Sequence, residues 1–226
     1  MKINSLLILF TIIVIGLTAC SKNGDDRIGV NSVTPLNVIN ASGDTVNFYQ
    51  NGTRLNIGSN LLPSGQYTGI NVLVGNQNFQ FKRAGTVNVV ANAPLAIQAL
   101  TNYTLFMAGE STDRVFLLKD TLITDTLANV ARLRFVNASP DAGNLDVTIA
   151  SLPTYKNRTF GSATPFLSVP SGKVFYSVYR QGVTTPLASG NLTLTQHTSY
   201  TLFSKGLVSG TGTNLLGTRI VVTPSN

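Results

Sequence analysis

Few side chains in this sequence of 226 residues could carry acid–base, nucleophilic or metal chemistry. The single Cys, Cys20, and the single His, His197, exclude a disulfide within the chain and a usual zinc site, which needs three or four ligands. His197 lies in a polar segment and is predicted to occupy an exposed turn. Glycoside hydrolysis needs two carboxyl groups, but Asp141 is expected to cap a turn and Asp146 to face solvent between apolar neighbours. The sequence therefore predicts no catalytic residue, no metal site and no cofactor.

The amino terminus has the pattern of a secretory signal peptide. Its apolar run, residues 6–17, is shorter than the roughly 20 residues of a membrane-spanning helix. The run ends in Leu17, Thr18, Ala19 and Cys20, which resemble the lipobox of bacterial lipoproteins. The resemblance implies that residues 1–19 are removed and that Cys20 carries a diacylglycerol and usually a third acyl chain, with palmitate among the acyl groups. The alternative is an unmodified, buried thiol in an ordinary amino-terminal helix.

Residues 20–33 are predicted to form a lipidated tether that attaches the protein to a membrane through Cys20. Each buried methylene of an acyl chain contributes about 0.8 kcal/mol, so two or three chains hold a protein on a bilayer. Ser21, where other lipoproteins have Asp, resembles the sorting residue of lipoproteins sent to the outer membrane. Lys22–Asp26 resembles a cell-surface export signal, or is simply a solvated linker. We therefore expect an outer-membrane lipoprotein on the periplasmic face or the cell surface.

The remaining chain contains one pattern twice, and such repeats decide the architecture. The segment Leu36–Asp44 recurs as Leu133–Asp141, and both segments contain Asn-Ala-Ser-x-Asp. The segment Thr101–Phe106 recurs as Thr198–Phe203 at the same displacement. We therefore predict two tandem copies of one unit.

Each copy contains short segments rich in β-branched and aromatic residues, separated by turn residues, and no helical periodicity follows the signal peptide. These features predict an all-β protein with two tandem immunoglobulin-like β-sandwich domains of about seven strands each. The first copy is predicted to span residues 34–127 and the second copy residues 128–226. A closed barrel is the alternative architecture.

Two equivalent tyrosines, Tyr103 and Tyr200, each follow a turn and begin an apolar strand. This is the setting of a tyrosine corner, in which the ring is buried and the hydroxyl bonds to upstream backbone. The alternative is a pair of surface aromatics that stack on a ligand.

The order of these features resembles a known family. In both copies a strand leads to Asn-Ala-Ser-x-Asp, and a further strand, a Pro-x-Gly turn and Tyr-Thr-Leu follow. This order is similar to the domain-of-unknown-function family numbered 4397, which is common in bacterial lipoproteins and secreted proteins. Gly43 replaces the usual Pro of the motif in the first copy, whereas Pro140 keeps it in the second. The resemblance implies a β-sandwich in the cell envelope and assigns no activity.

The positive charge is concentrated in the second copy. Seven basic residues balance seven acidic ones between Cys20 and Asn129, whereas eight basic residues face two acidic ones from Val130 onward. A positive field concentrates anions, so an acidic polysaccharide or lipopolysaccharide is the expected partner, with general solubility as the alternative. Nucleic acid is not expected, because no known binding motif is present. The residues predicted to bind the anion are Arg132, Arg134, Lys156, Arg158, Lys173 and Arg180.

Three Asp-Thr-aliphatic segments resemble an acceptor pattern for O-linked glycans in some bacterial envelopes. The predicted acceptors are Thr45, Thr121 and Thr126. Glycans on Thr121 and Thr126 would shield the junction between the copies.

The sequence therefore predicts a lipid-anchored envelope protein that acts as a non-enzymatic binding or spacer module. The first alternative is a carbohydrate-active enzyme or its accessory subunit. The second is a structural subunit that assembles by pairing of edge strands.

Overall fold

Strands form nearly all of the regular structure. The computed structural model describes residues 32–121, 128–150 and 152–224, which contain sixteen strands and two single turns of 3₁₀ helix. The first copy contains β1 (Val33–Asn40), β2 (Val46–Gln50), β3 (Thr53–Arg54), β4 (Gln66–Leu73), β5 (Gly75–Arg83), β6 (Val89–Ile97), β7 (Asn102–Met107) and β8 (Val115–Asp120). The second copy contains β9 (Val130–Asn137), β10 (Leu145–Ile149), β11 (Tyr155–Arg158), β12 (Leu167–Pro170), β13 (Gly172–Arg180), β14 (Pro186–Leu194), β15 (Ser199–Lys205) and β16 (Gly217–Val222). The 3₁₀ turns are Thr112–Arg114 and Gly212–Asn214.

Each copy consists of two four-stranded sheets. We call β4-β1-β7-β8 and β12-β9-β15-β16 the inner sheets, and β3-β2-β5-β6 and β11-β10-β13-β14 the outer sheets. Within each inner sheet one pair is parallel, β1 with β7 and β9 with β15, and the other pairs are antiparallel. The predicted all-β sandwich architecture is confirmed. The exact domain boundaries stay a prediction, and Ser32–Asn226 pack as one compact unit.

Alternating side chains fill a separate core in each sandwich. In the first copy Phe48 of β2 stacks on Phe79 of β5 with ring centroids 5.5 Å apart and also contacts Phe81. All three rings are fully buried. In the second core, Tyr176 and Val178 of β13 lie at the places of Phe79 and Phe81. Strands form here because apolar residues two positions apart point to the same face of a pleated sheet.

A third apolar cluster lies between the inner sheets of the two copies. Phe106 of β7 stacks on Phe116 at 5.0 Å and meets Phe203 of β15 edge-on at 5.7 Å. Ile39 of β1 and Val136 of β9 join the same cluster. The central strands of the inner sheets are therefore buried on both faces, a property more typical of parallel sheets covered by helices.

Backbone contacts also join the copies at this interface. The Gly206 amide donates to the Ala41 carbonyl at 2.9 Å. Gly206 has a φ of 69°, and a Cβ there would lie 2.6 Å from the carbonyl oxygens of Asn214 and Leu215. Only glycine fits such a position without a shift of the backbone.

Both predicted tyrosine corners are confirmed. The Tyr103 hydroxyl accepts a hydrogen bond from the Gln98 amide at 3.1 Å, and that of Tyr200 from the Thr195 amide at 3.0 Å. The two rings are 1% and 9% exposed. These tyrosines therefore serve packing and not ligand stacking.

Four strands were not predicted from the sequence. They are β5, in which Asn and Gln alternate with two buried phenylalanines, and the short edge strands β3, β11 and β12. The β-rich segment 86–90 is a strand only at its end, where Val89 and Val90 begin β6, and a turn precedes it. Gly85, with a φ of 76°, forms that turn.

Candidate functional site

The outward face of the second outer sheet exposes an aromatic ring. Along β13, Val174, Tyr176 and Val178 point into the core, so the residues between them point outward. Phe175 is 54% exposed, and Lys173, two positions earlier on the same face, is also exposed. The Phe175 ring points away from the sandwich core and therefore does not contribute to the packing of that core.

Polar groups surround this ring on the neighbouring strands. Across the β13–β14 hairpin, Phe175 pairs with Asn191 and Lys173 pairs with Thr193. The strand β11, separated from β13 by β10, carries the exposed Lys156, which the register places beside Asp146 and not beside Phe175. Around the ring the face therefore combines one apolar group, the Lys173 cation and short polar side chains, groups that can stack on a sugar ring and pair with an anion.

The same position in the first copy has a different pair of residues. The hairpins align because Gly75 pairs with Ile97 in the first copy as Gly172 pairs with Leu194 in the second. Three residues along, Asn78 of β5 stands where β13 has its exposed ring, and Asn78 pairs with Pro94. In both copies an amide side chain lies opposite an apolar residue. The amide is on the first strand of the hairpin in the first copy and on the second strand in the second copy.

The six basic residues predicted to bind an anion do not form one cluster. Lys156, Arg158, Lys173 and Arg180 belong to the second outer sheet, where Arg158 and Arg180 both pair with Leu145 from opposite sides. The other two lie on β9 of the inner sheet, where the half-buried Arg132 pairs with Ser168 and Ser199. The sixth, Arg134, is described next.

Arg134 is buried at the interface between the copies, with its side chain 3% exposed. Its Nη1 lies 2.7 Å from Oδ1 of Asp120, the last residue of β8. Its Nε donates to Thr201 at 2.9 Å and its Nη2 to Thr104 at 3.3 Å. Thr104 in turn donates to Asp120 at 2.6 Å. The charge of Arg134 is thus neutralised within the protein, which removes it from the outer basic face.

Burial lowers the pKa of the Arg134 guanidinium, although the Asp120 carboxylate opposes this effect. The guanidinium also lies over the Phe166 ring, 4.6 Å from its centroid. Beside it is a cavity of about 270 Å³ that Lys119 and Pro165 help to line. Lys119 donates to Gln98 at 2.7 Å. Asp120 neutralises Arg134, which leaves Lys119 as the uncompensated charge of the cavity lining.

The repeated Asn-Ala-Ser-x-Asp motif holds each sandwich together. The Asn137 amide donates to the carbonyls of Gly143 and Arg158 at 3.0 and 2.9 Å. Its oxygen accepts from Ser139 and Ser204 at 3.2 and 3.0 Å. In the first copy the Asn40 amide donates to the carbonyls of Asp44 and Leu62, and its oxygen accepts from the amide and hydroxyl of Ser42. The motif is therefore structural, because a buried amide needs all of its partners.

Asp141, the last residue of the motif, fixes a loop of the second copy. It accepts hydrogen bonds from the amides of Val208 and Ser209 at 2.7 and 3.1 Å. Partial burial raises the pKa of Asp141, but these hydrogen bonds outweigh the burial and hold the pKa below its ordinary value. As expected, Asp141 caps a turn, although the turn belongs to a distant segment.

Two other carboxyl groups meet in a cleft of about 310 Å³ between the copies. Asp44 and Glu110 both bind the Arg83 guanidinium. A hydrogen bond with Asp44 raises the pKa of Glu110, and partial burial and the Asp44 charge add to it, whereas Arg83 lowers it. Both carboxyl groups are occupied by the same guanidinium. The arrangement is therefore an ion cluster.

The remaining predicted groups give no catalytic arrangement. His197 is exposed in a turn, with a φ of 58°, and Asp146 accepts a hydrogen bond from the Asn157 amide at 2.7 Å. Within residues 32–121, 128–150 and 152–224, no three His, Cys, Asp or Glu side chains come together as metal ligands would. In the same ranges, no helix has the length and apolarity needed to cross a membrane.

The predicted modification sites are only partly covered by the structure. Cys20 and the lipobox residues Leu17, Thr18 and Ala19 lie outside the described residues, and so does Thr126. Thr121 is exposed, whereas Thr45 is half-buried just before β2. Lipidation and O-glycosylation remain predictions.

Comparisons with known proteins were made for the whole chain. No curated protein sequence matches it. Among solved structures, the carbohydrate-binding module CBMbc (family CBM26) from Eubacterium rectale Amy13K, in complex with maltoheptaose, shares 12% sequence identity with this chain. The alignment covers 85% of this chain and 99% of that chain, with a TM-score of 0.27, and supports no conclusion about fold or ligand.

The sequence profile of one family matches most of the chain. It is described as a domain of unknown function, DUF4397, and it matches residues 34–148 and, in a second overlapping region, residues 131–219. The matched regions contain both Asn-Ala-Ser-x-Asp motifs and both tyrosine corners. The chain therefore belongs to the DUF4397 family.

Proposed function

We propose that this protein is a lipid-anchored, non-enzymatic binding module of the bacterial cell envelope. The outward face of the second outer sheet, with Phe175 at its centre, binds an anionic glycan. One observation carries this assignment, namely that Phe175 is 54% exposed beside Lys173 on an open sheet face. Among the large apolar side chains exposed on the described residues, Phe175 is the aromatic one, and its flat ring face offers a surface on which a sugar ring can stack.

The charge of the second copy selects the ligand class. Lys173 lies two positions from the ring on the same strand and the same face, and Lys156 lies farther along this face on β11. Asp146, the acid on β10, already accepts a hydrogen bond from Asn157. A carboxylate, sulfate or phosphate on the glycan pairs with Lys173 while a sugar ring stacks on Phe175. An acidic polysaccharide and the phosphorylated sugars of lipopolysaccharide share this chemistry.

Replacing Phe175 with alanine is expected to weaken binding of an acidic polysaccharide about 5- to 150-fold, since loss of an aromatic stacking contact costs about 1 to 3 kcal/mol. The test is calorimetry with full-length protein in detergent, using polygalacturonate and, separately, purified lipopolysaccharide. The control is Leu100→Ala, which shortens a fully exposed apolar side chain in the first copy. Binding should weaken between about 50 and 300 mM NaCl, because salt screens the lysines. Equal affinity of Phe175→Ala and wild type for both ligands would refute the assignment.

The membrane anchor is tested separately at Cys20. In cells fed labelled palmitate, the wild-type protein should carry label and sediment with the outer membrane. Cys20→Ala should lose the label and most of the membrane association, since several acyl chains are needed for stable anchoring. The matched control is Ser21→Ala, which leaves the thiol in place. A native protein with a free thiol and with Met1 retained would contradict the anchor.

A further inference from the structure

The outward face of β13 carries a second aromatic ring, Tyr179, farther along the strand than Phe175. Both residues alternate with the core residues Tyr176 and Val178, so their side chains lie on the same face of the sheet. At about 3.3 Å per residue, the two positions are roughly 13 Å apart along the strand. This separation is longer than a single sugar ring, so only an oligosaccharide can contact both aromatic rings.

The small residue between the two rings is covered by them. Ser177 belongs to the outward face, yet it is only 3% exposed. Its neighbours across the sheet are Thr148 and Ser189, whose side chains are too short to cover it. The cover therefore comes mainly from Phe175 and Tyr179 on the same strand. The two rings form one continuous strip along β13.

The Tyr179 side chain offers a polar group beside its ring. The residue is half-buried, and its hydroxyl has no hydrogen-bond partner in the part of the chain that the structure describes. By contrast, the Tyr67 hydroxyl donates to the Ile57 carbonyl, and the Tyr176 hydroxyl bonds to Thr218. A tyrosine with an apolar ring and a free hydroxyl suits a partner that is apolar on one side and polar at its edge. A sugar ring has both features.

The charge differs between the two ends of this strip. At the Phe175 end, Lys173 is exposed and pairs across the hairpin with a neutral residue. At the Tyr179 end, Asp146 lies directly opposite on β10, and it is the one acidic residue on the four strands of this sheet. The exposed Lys156 on β11 lies beside Asp146 and balances its charge. One end is therefore positive and the other neutral.

This distribution of charge narrows the class of glycan. An acidic group on a sugar at Phe175 pairs with Lys173. An acidic group on a sugar at Tyr179 would instead lie close to the Asp146 carboxylate, and like charges in contact oppose binding. A neutral sugar at Tyr179 avoids that repulsion and still uses the ring and the hydroxyl. A glycan with an acid on every sugar fits one end of the strip and not the other.

We propose that the strip from Phe175 to Tyr179 binds a glycan that contains both acidic and neutral sugars. An acidic sugar lies at Phe175 and Lys173, and a neutral sugar stacks on Tyr179. This inference rests on the proposed function, since it uses the same sheet face. It adds a second contact and sets the direction of the glycan along β13. Two linked contacts bind an oligosaccharide more tightly than either contact alone.

Fluorescence at position 179 tests the second contact. The chain contains no Trp, so the emission of the Tyr179→Trp variant reports this position alone. The full chain in detergent is titrated with the hexasaccharide and the disaccharide of hyaluronan, in which acidic and neutral sugars alternate. The hexasaccharide should shift the emission to shorter wavelength in a saturable way, because stacking removes the indole from water. The disaccharide is too short to reach from Phe175 and should cause little shift.

The matched control for this measurement is Tyr49→Trp. Tyr49 is a half-buried tyrosine on the outward face of the first outer sheet, where it pairs with Gln80. Its emission should not respond to the hexasaccharide. An equal response at both positions, or no response at position 179, would contradict the second contact.

Calorimetry separates this inference from the proposed function. Tyr179→Leu keeps an apolar side chain but removes the flat ring. It should weaken binding of the hexasaccharide about fivefold or more and leave the disaccharide unaffected, whereas Phe175→Ala should weaken both. Hexagalacturonate, with an acid on every sugar, should bind the wild type more weakly than the hyaluronan hexasaccharide does.

The outcomes of these measurements are distinct. If Phe175→Ala weakens binding but Tyr179→Leu does not, or if hexagalacturonate is the tighter ligand, the inference is overturned and the proposed function stands. If Phe175→Ala changes no affinity, the proposed function itself fails. The fluorescence titration of Tyr179→Trp decides the matter if Tyr179→Leu does not fold, because that variant keeps a ring in place.

Discussion

Replacing Arg134 with methionine is expected to lower the free energy of unfolding by about 3 to 5 kcal/mol. The substitution keeps an unbranched chain in the space but leaves Asp120 buried without its cation. Asp120 is 7% exposed, and its remaining side-chain partner is Thr104. A carboxylate in that position must either remain charged in a poorly solvated site or take up a proton.

Urea unfolding at neutral pH measures this effect, and in a protein of this size the midpoint of thermal unfolding should fall by roughly 10 °C. The double variant Asp120→Asn with Arg134→Met should regain part of the loss, because no buried charge remains. Arg219→Met, at an exposed position of β16, serves as the control and should change little. A loss below about 1 kcal/mol, or a double variant no more stable than the single one, would contradict the prediction.

Phe106→Ala is expected to cost about 3 to 5 kcal/mol and to weaken the coupling between the copies. The ring is fully buried and contacts Phe116 of its own sheet and Phe203 of the other copy. Its removal leaves a cavity between two inner sheets that meet mainly through apolar contact. Because each sandwich has a core of its own, the copies should then unfold at different temperatures.

Calorimetry distinguishes this outcome from simple destabilisation. The wild type should unfold in one transition and Phe106→Ala in two. Phe48→Ala, which empties the core of the first copy without touching the interface, is the matched control for the loss of a buried ring. Phe106→Leu should show a smaller version of the same change. A single sharp transition in Phe106→Ala, at the wild-type temperature, would be incompatible with a shared core.

Local sequence features predicted much of each sandwich. The repeated landmarks located β1, β7, β9 and β15, and the positions of Tyr103 and Tyr200 predicted their corners. These features depend on nearby residues, so turn chemistry and alternation suffice to recognise them. The hairpin strand β5 was missed because its outward residues are amides, which are uncommon in strands.

The contact between the copies could not be predicted from local pattern. Arg134 was grouped with the anion-binding residues on its charge alone, which requires its side chain to face solvent. The structure shows that a second sheet covers that face and that Asp120 supplies the counter-charge. A signal was present in the sequence, since Ile39 and Val136 make the outward positions of β1 and β9 apolar too. Apolar residues on the outward face of β1 and β9 are compatible with several arrangements, as long as it is not known which element covers that face.

The candidate binding residues were missed for a related reason. Phe175 was not predicted as a binding residue, because its exposure is visible only once the direction of each side chain is known. Charge alone grouped six basic residues that the fold distributes over two sheets.

Because the two inner sheets cover each other, they limit how many such sandwiches one polypeptide can contain. A single sandwich would expose Ile39, Phe106 and their apolar neighbours to water. If a third sandwich were added to this pair, both existing inner sheets would already be covered, so its own inner sheet would stay exposed. Polypeptides built from this sandwich should therefore contain an even number of sandwiches. In a polypeptide with an odd number, the uncovered inner sheet should pack against the inner sheet of another molecule.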